Sequence, residues 1–326
     1  MHPEHYDDFD AFACSVRDLD CTMMLQNPAR QSWTTRKAKI AGLQVQMGEL
    51  GSGNIVEGQS WVGGSMIYLP LSDNCAYSAN GEVIERGAFL SLEPGTEFAL
   101  STKREHDWCS ISVPSEVLLR DPDFDAPPFA QTENRCRVTR ANPSLASQFE
   151  ESVRCVLATA ERYPKFEASP GATVASAELL ELGTLILGVQ PTRRDEHLGR
   201  PRVSRVEIIR RAKALLEERE DSHVTVRDLV AQARVSERTL RTAFKETFGL
   251  GPASYLRLRN LHRIKRALAT AEPGEATVAE VLAAQGEWQF GRCAARYRHL
   301  FGELPSETLC AKRTPSGQSS RPVVPL

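Results

Sequence analysis

Residues 225–249, TVRDLVAQARVSERTLRTAFKETFG, read as a helix, a tight turn and a second helix. Thr225 with Asp228 three positions on is a capping-box start, and Val226, Leu229, Val230 and Ala233 follow at helical spacing. Ser236 is placed to cap the second helix. In that helix Leu240, Phe244 and Phe248 fall four apart on one face, while Arg238, Arg241, Thr242 and Lys245 lie on another. Gly249 is the stop signal. Two short helices, the second with an apolar seam and a basic outward face, have the layout of a DNA-reading helix-turn-helix. A small helical hairpin with a solvated charged face has the same pattern, so a second observation is needed.

An internal repeat supplies it. Thr277 and Glu280 form another capping box, Val281 and Leu282 follow, Gly286 marks a turn, and a helix from about Trp288 to Phe301 ends at Gly302. Thr225 aligns with Thr277, Phe244 with Tyr297, Phe248 with Phe301 and Gly249 with Gly302, at a nearly constant offset. Between the copies, residues 254–270 carry Leu256, Leu258, Leu261, Ile264 and Leu268 among five basic residues. A helix of that length spans roughly 25 Å. With the flanking units it can hold two reading helices about one DNA turn, roughly 34 Å, apart.

These residues resemble the AraC/XylS family of bacterial transcription regulators. The resemblance rests on V-S-E-R-T-L-x-x-x-F-x-x-x-F-G at 235–249, P-x-x-Y-L-R-x-R-x-L at 252–261 and Y-R-x-L-F-G-E-x-P-S-E-T-L at 297–309. It implies that Arg238, Arg241 and Thr242 face base edges, with Ser236, Glu237 and Lys245 beside them. In the second unit it assigns Gln289, Arg292 and Arg296 to DNA, with poorer readout because Gly291 and Ala295 stand where longer side chains belong. Arg257, Arg259, Arg263, Lys265 and Arg266 are then candidates for phosphate contacts or for solvation of the joining helix. The second unit departs from the family pattern at Leu282, Glu287 and Cys293, and in the first Arg234 holds a turn position that is often glycine. The resemblance places Glu287 between the two helices of the second unit, where an unpaired carboxylate is costly. It must then be neutral, pair with a cation such as Arg292 or Arg296, or reach solvent by local opening, which fits best beside Cys293 and Leu282; lower stability over 277–301 than over 225–248 is expected.

Charge divides the chain. Residues 201–326 carry 22 Lys plus Arg against 14 Asp plus Glu, whereas residues 1–200 carry 18 against 28. The basic half coincides with the repeat, as phosphate contact requires. At 326 residues with 41% hydrophobic side chains, the chain has room for two cores. No run of apolar residues is long enough for a membrane span and the N-terminus is acidic, so a cytoplasmic protein without membrane contact is expected. Eight cysteines, at 14, 21, 75, 109, 136, 155, 293 and 310, form no C-x-x-C pair, and reduced thiols are the expectation.

From residue 39 to 113 the pattern is of short strands and turns: IAGLQVQMGEL, GNIVEGQS, SMIYLPLS, CAYSANGEVIERGAFLSLEPGTEFALS and DWCSISVP. Asn80-Gly81 signals a hairpin, Pro94-Gly95 a turn, and Gly51 and Gly87 punctuate further strands. The run G-A-F-L-S-L-E-P-G-T-E-F resembles the cupin-like sensory barrel of AraC-type regulators. Metal-binding cupins supply paired histidines, and His106 is the only histidine between His5 and His197, so neither metal nor cofactor is expected. Trp61, Tyr68, Tyr77, Phe89, Phe98 and Trp108 are candidates for lining an apolar pocket, although aromatic residues on strands more commonly serve as core. Glu97, Lys103, Arg104 and His106 are candidates for orienting a polar effector, and no effector-binding residue is singled out.

Upstream, a short helix is expected at residues 9–12 and a loop at Gln31–Arg36. Downstream, residues 121–143 read as an irregular connection. Helices follow over Ser144–Tyr163 and Ala172–Val189, either as a dimer contact, which the resemblance implies, or packed on the barrel. The expected fold is α+β: a cupin-like β-barrel or jelly-roll sensory domain over 1–120, a helical connection or dimerisation segment over 121–190, a linker over 191–204, an all-α double helix-turn-helix over 205–311, and a disordered tail over 312–326. The expected function is sequence-specific, effector-responsive transcriptional regulation without enzymatic activity. Its partners are promoter double-stranded DNA, RNA polymerase, a small-molecule effector and a second copy of the chain. A metal-free cupin-type enzyme fused to a DNA-binding domain would need a catalytic cluster within 39–113 that the sequence does not show. A constitutive architectural DNA-binding protein would have no use for a long non-basic N-terminal half.

Overall fold

A computed structural model describes residues 3–73, 77–118, 136–188, 203–219, 223–271, 274 and 276–311. Their N-terminal portion holds β1 (Glu4–Tyr6), α1 (Phe9–Ser15), β2 (Leu19–Ile40), β3 (Leu43–Ser60), β4 (Gly64–Pro70), β5 (Tyr77–Ala79), β6 (Glu82–Ile84), β7 (Ala88–Leu92), β8 (Glu97–Ser101), β9 (His106–Pro114), α2 (Ser115–Leu118) and β10 (Cys136–Arg140). The strands form one antiparallel sheet in the order β10-β7-β4-β9-β3-β8-β5-β6, with β2 on β3 and β1 on β2. Strand β3 organises it: Gln44–Leu50 pairs with β9 and Ile55–Gln59 with β8, while β2 runs beside the whole length. A strand that changes partner midway must bend, and the sheet curls into a nearly closed barrel. The α+β class expected from the sequence is the one observed.

Three local expectations are corrected. Gly51 does not separate two strands but lies inside β3, where a Cβ would stand 2.5 Å from the Arg30 carbonyl oxygen, so the missing side chain permits the crossing of β2. Gln31–Arg36 is not a loop. It continues β2, with Trp33 opposite Leu50 and Thr35 opposite Gly48, after a register shift between Pro28 and Trp33 absorbs extra residues. Its polar residues hide the strand, although Thr34 and Thr35 are buried together with Trp33. Within the connection expected over 121–143, Cys136–Arg140 is a strand paired with β7, Cys136 opposite Leu92. The rest of that connection to residue 135, nearly all of the linker expected at 191–204, and the tail from 312 lie outside the described residues.

Helices α3 (Pro143–Arg162) and α4 (Pro170–Gly188) cover the outer face of the sheet. Asn142 caps α3 by accepting the Ser144 N–H, and Phe149, Val153, Val156 and Leu157 are buried with Ile40, Leu43, Val45 and Ile111. Phe149 meets Phe89 edge to face at 5.3 Å. These helices therefore pack on the barrel, and α4 leaves Val174 and Leu185 exposed.

The C-terminal portion is all helical: α5 (Arg205–Glu218), α6 (Val226–Ala233), α7 (Glu237–Phe248), α8 (Pro252–Thr270), α9 (Val278–Ala284), α10 (Phe290–Phe301) and α11 (Pro305–Ala311). The apolar interior of the barrel is continuous with the cores of these helices, from Phe9, Leu25 and Trp33 through Ile264 and Phe248 to Leu282 and Tyr297. A continuous core of this kind holds the two portions against one another.

Candidate DNA-binding surface

The first unit is built as its capping signals require. Thr225 Oγ1 accepts the Asp228 N–H and Asp228 Oδ2 accepts the Thr225 N–H, which closes the box at the start of α6. Arg234 ends α6 in the left-handed region, φ 54°, and the chain turns into α7. Ser236 Oγ accepts the Thr239 N–H at 3.1 Å, so this residue caps α7 while remaining exposed. Leu240, Phe244 and Phe248 are buried, and Phe244 and Phe248 lie against Tyr255 of α8. The opposite face of α7 exposes Glu237, Arg238, Arg241, Thr242 and Lys245. Arg241 is paired with Glu237 at 2.9 Å, both largely exposed, and Thr242 donates to the Arg238 carbonyl. Among the described residues the side chains of Arg238 and Lys245 have no hydrogen-bond or ion-pair partner.

In the second unit the Thr277–Glu280 box is closed in the same way, and Cys293, Tyr297 and Phe301 form the seam of α10 with Leu282. Helix α10 begins at Phe290 rather than Trp288, with Gln289 as its cap residue. Arg292 Nη1 donates to Gln289 Oε1 at 3.1 Å, and Arg292 and Arg296 are exposed. Glu287 takes a partner other than the arginines expected for it: it is half-buried, and its Oε1 accepts the Gln289 N–H at 3.1 Å while its own N–H donates to the Leu282 carbonyl. It thereby satisfies the N–H of the cap residue Gln289, which itself makes no side-chain cap at the start of α10. Cys293 is fully buried in the seam, and burial pushes its thiol up to about 11. One further surface feature was not assigned from the sequence: Trp288, 74% exposed, and partly exposed Phe290 flank Gln289. Large apolar side chains exposed beside basic ones are the signal that could have found it.

The joining helix α8 corrects the phosphate assignment. Lys265 is buried, with its ammonium 2.6 Å from Asp8 and 3.0 Å from Asp10 of α1, and so is not free on the surface. Arg259 donates to the Leu216 carbonyl at 2.8 Å and is likewise engaged within the protein. Arg257 and Arg266 are exposed and Arg263 is half-buried. The same helix carries Tyr255, which donates to Glu57 of β3 at 2.6 Å, and His262, whose Nε2–H donates to the Leu25 carbonyl at 3.1 Å.

Inside the barrel lies a cavity of about 50 Å³, bordered by Tyr68, Phe98, Trp108, Met66, His106 and Ser110 among others. Tyr68 stacks on Trp108 at 5.6 Å. His106 Nδ1 is within 3.1 Å of the Ser52 carbonyl and 3.0 Å of that of Arg104. Two acceptors require Nδ1 to carry the proton, and burial lowers the pKa to about 4, so the ring is neutral near pH 7. Of the six aromatic candidates, Tyr68, Phe98 and Trp108 border the cavity, whereas Phe89 packs under α3 and Tyr77 stands behind His106. Of the four polar candidates His106 alone borders it; Glu97 faces the cleft toward α5, Lys103 lies against Gly249, and Arg104 is exposed. Among the described residues no three His, Cys, Asp or Glu side chains gather to hold a metal, and no helix is long and apolar enough to cross a membrane.

Residues 229–310 match the family model of a helix-turn-helix domain. Over 251 residues, covering 74% of this chain and 71% of the relative, the sequence is 28% identical to the XylDLEGF operon transcriptional activator 1 of Pseudomonas putida. Over 140 residues, 43% of this chain and 42% of the relative, it is 29% identical to a probable thc operon regulatory protein of Rhodococcus erythropolis. Among solved structures, the AraC-like transcriptional activator CuxR aligns with a TM-score of 0.43 at 12% identity, over 80% of this chain and 94% of that one.

Proposed function

We propose that the chain is a transcription regulator of the AraC/XylS type, a reading supported by the helix-turn-helix match over 229–310 and the similarity to the XylDLEGF operon activator, in which α7 and α10 read the two halves of a promoter site while the barrel senses a small molecule. The observation that carries this reading is the face of α7. Its apolar seam is buried, and Arg238 and Lys245 project from the exposed side with no partner among the described residues. Arginine presents the two-pronged donor that matches O6 and N7 of guanine, and Arg241 can exchange Glu237 for such a contact. In the second unit, Gln289, Arg292 and Arg296 are the polar readers, and Trp288 offers apolar contact to a thymine methyl.

For sensing, the aromatic lining of the barrel cavity supports a small, largely apolar effector, with Ser110 and the unprotonated Nε2 of His106 as the polar handles. A volume of about 50 Å³ requires side chains to move aside for anything larger than a few heavy atoms. Residues 1–120 then form the sensing domain and 205–311 the DNA-binding domain of a cytoplasmic, non-enzymatic regulator that engages RNA polymerase. The exposed Val174 and Leu185 of α4 support self-association through the helical segment. An effector that favours one arrangement of the domains shifts the population competent for DNA.

The test is to select the preferred duplex from random sequence and compare Arg238→Ala with the parent protein. The cognate site should lose about 1–3 kcal/mol and random DNA much less. Equal losses on both would remove Arg238 from the base-reading set.

A further inference from the structure

The barrel touches the two recognition helices at atoms that correspond to one another in the repeat. In α7 the carbonyl of Thr247, one residue before the terminal Phe248, lies 3.1 Å from Ser78 Oγ of β5 and 3.1 Å from Ser101 Oγ of β8. In α10 the carbonyl of Leu300, one residue before the terminal Phe301, accepts from Gln31 Nε2 of β2 at 3.3 Å. Both carbonyls belong to the last turn, where no helical N–H is available. The two serine hydroxyls are 2.9 Å apart and oppose each other in the β5–β8 register. Whether both donate to Thr247 or one donates to the other, the carbonyl is satisfied.

The correspondence extends one residue further. Both helices end in a left-handed glycine, Gly249 at φ 69° and Gly302 at φ 79°. A Cβ on Gly249 would stand 2.7 Å from Lys103 Cε, and one on Gly302 3.3 Å from Gln31 Cγ. The stops that end the helices also let the barrel come close to their ends. Strands β5, β8, β3 and β2 are neighbours in one sheet, so the two grips are joined by continuous strand pairing.

We propose that the barrel acts as a spacer bar, in which Ser78 and Ser101 at one end and Gln31 at the other fix the separation of α7 and α10 and thereby the separation of half-motifs the protein prefers. These three are positioning residues: each leaves the reading faces exposed and acts on a helix end. The inference rests on the two-helix reading above. It makes the sensing domain a determinant of DNA geometry, because any rearrangement of β2 relative to β5 and β8 is transmitted to the spacing of the reading heads.

The test uses the full chain and duplexes carrying both half-motifs, with their separation varied one base pair at a time, beside a duplex carrying the α7 half-motif alone. Gln31→Glu keeps the shape but removes the donor to Leu300; Ser78→Ala with Ser101→Ala removes both donors to Thr247. In either variant, confirmed folded by circular dichroism, the advantage of the best spacing over its neighbours should fall about three- to ten-fold, the worth of roughly one net hydrogen bond. Binding to the single half-motif should stay within about twofold of the parent. A parent-like spacing profile in both folded variants overturns the spacer, as does tighter binding at every spacing, which would make the grips inhibitory. A parent chain that binds one half-motif as tightly as any pair overturns the two-helix reading itself.

Discussion

The Lys265 ammonium lies 2.6 Å from a carboxylate oxygen of Asp8, a residue 257 positions earlier that caps the first helix of the chain. The contact joins the middle of the all-helical portion to α1, whose Phe9 and Phe12 are buried in the barrel core, and Asp10 closes on the same ammonium at 3.0 Å. Burial alone would raise the Asp8 pKa and lower that of Lys265. The ion pair, joined at Asp8 by the Ala11 and Asp10 N–H groups, outweighs it, so Asp8 is held below the usual carboxylate range and Lys265 above the usual lysine range.

Lys265→Ala is therefore expected to act on domain association rather than on phosphate. It should lower stability by about 1–2 kcal/mol, a modest figure because the carboxylates are half-exposed and screened. The slope of DNA affinity against salt should not change, since no phosphate contact is removed. Thermal unfolding and a salt titration of binding check the two halves; a shallower slope would return Lys265 to the DNA surface.

His106 and His262 give the fold a pH dependence. Burial depresses both to about 4, with Lys265 and Arg266 also opposing protonation of His262 and Asp10 favouring it. A histidine free in the unfolded chain titrates near 6.5, so between about 6.5 and 4 the unfolded state holds more protons and stability falls as pH falls. The slope contributed by each is at most about 1.4 kcal/mol per pH unit within that window. Asp8 works in the same direction further down, its contribution being present above the unfolded carboxylate pKa and lost as pH drops through its lowered folded value. Urea unfolding at pH 7.5 and pH 5 should show a marked loss at the lower pH, reduced in His262→Gln. Equal stability at the two values would contradict neutral burial of these rings.

Glu287→Phe matches the family pattern but should not stabilise this protein. It removes the acceptor for the Gln289 N–H and asks Cys293 and Leu282, already buried and in place, to admit a ring. A loss of about 1–2 kcal/mol is expected, with weaker binding of the second half-motif. Differential scanning calorimetry decides it; a higher melting temperature would mean that the seam was underfilled.

Much of the helical portion was legible in the sequence because its signals are short-range. A capping box closes over three residues, a seam repeats every three or four, and a glycine stops a helix one position beyond its end. Thr225 with Asp228, Thr277 with Glu280, and Leu240 with Phe244 and Phe248 therefore sufficed to place α6, α7, α9 and most of α10. The turn at Asn80-Gly81 was legible for the same reason, both residues taking the positive φ it requires. Hydrophobic periodicity also gives the buried side of a helix, but not whether a charged residue at its border finds water or a buried partner. That is why Lys265 read as a phosphate contact or a solvated side chain, and why Glu287 was assigned local opening or an arginine partner instead of the Gln289 N–H.

The tertiary structure decided the rest, by bringing together groups that no local window contains. Gln31 meets Leu300 across 269 positions, Tyr255 meets Glu57 across 198, and Ser78 meets Thr247 across 169. Strand β2 passes through polar Gln31–Arg36 because β3 lies beside it, and Cys136–Arg140 becomes a strand because β7 has an open edge. Backbone pairing and buried polar contacts depend on what the fold places opposite a residue. Residue type and local period determined the helices and their caps, whereas only the assembled sheet determined which side chains meet the ends of α7 and α10.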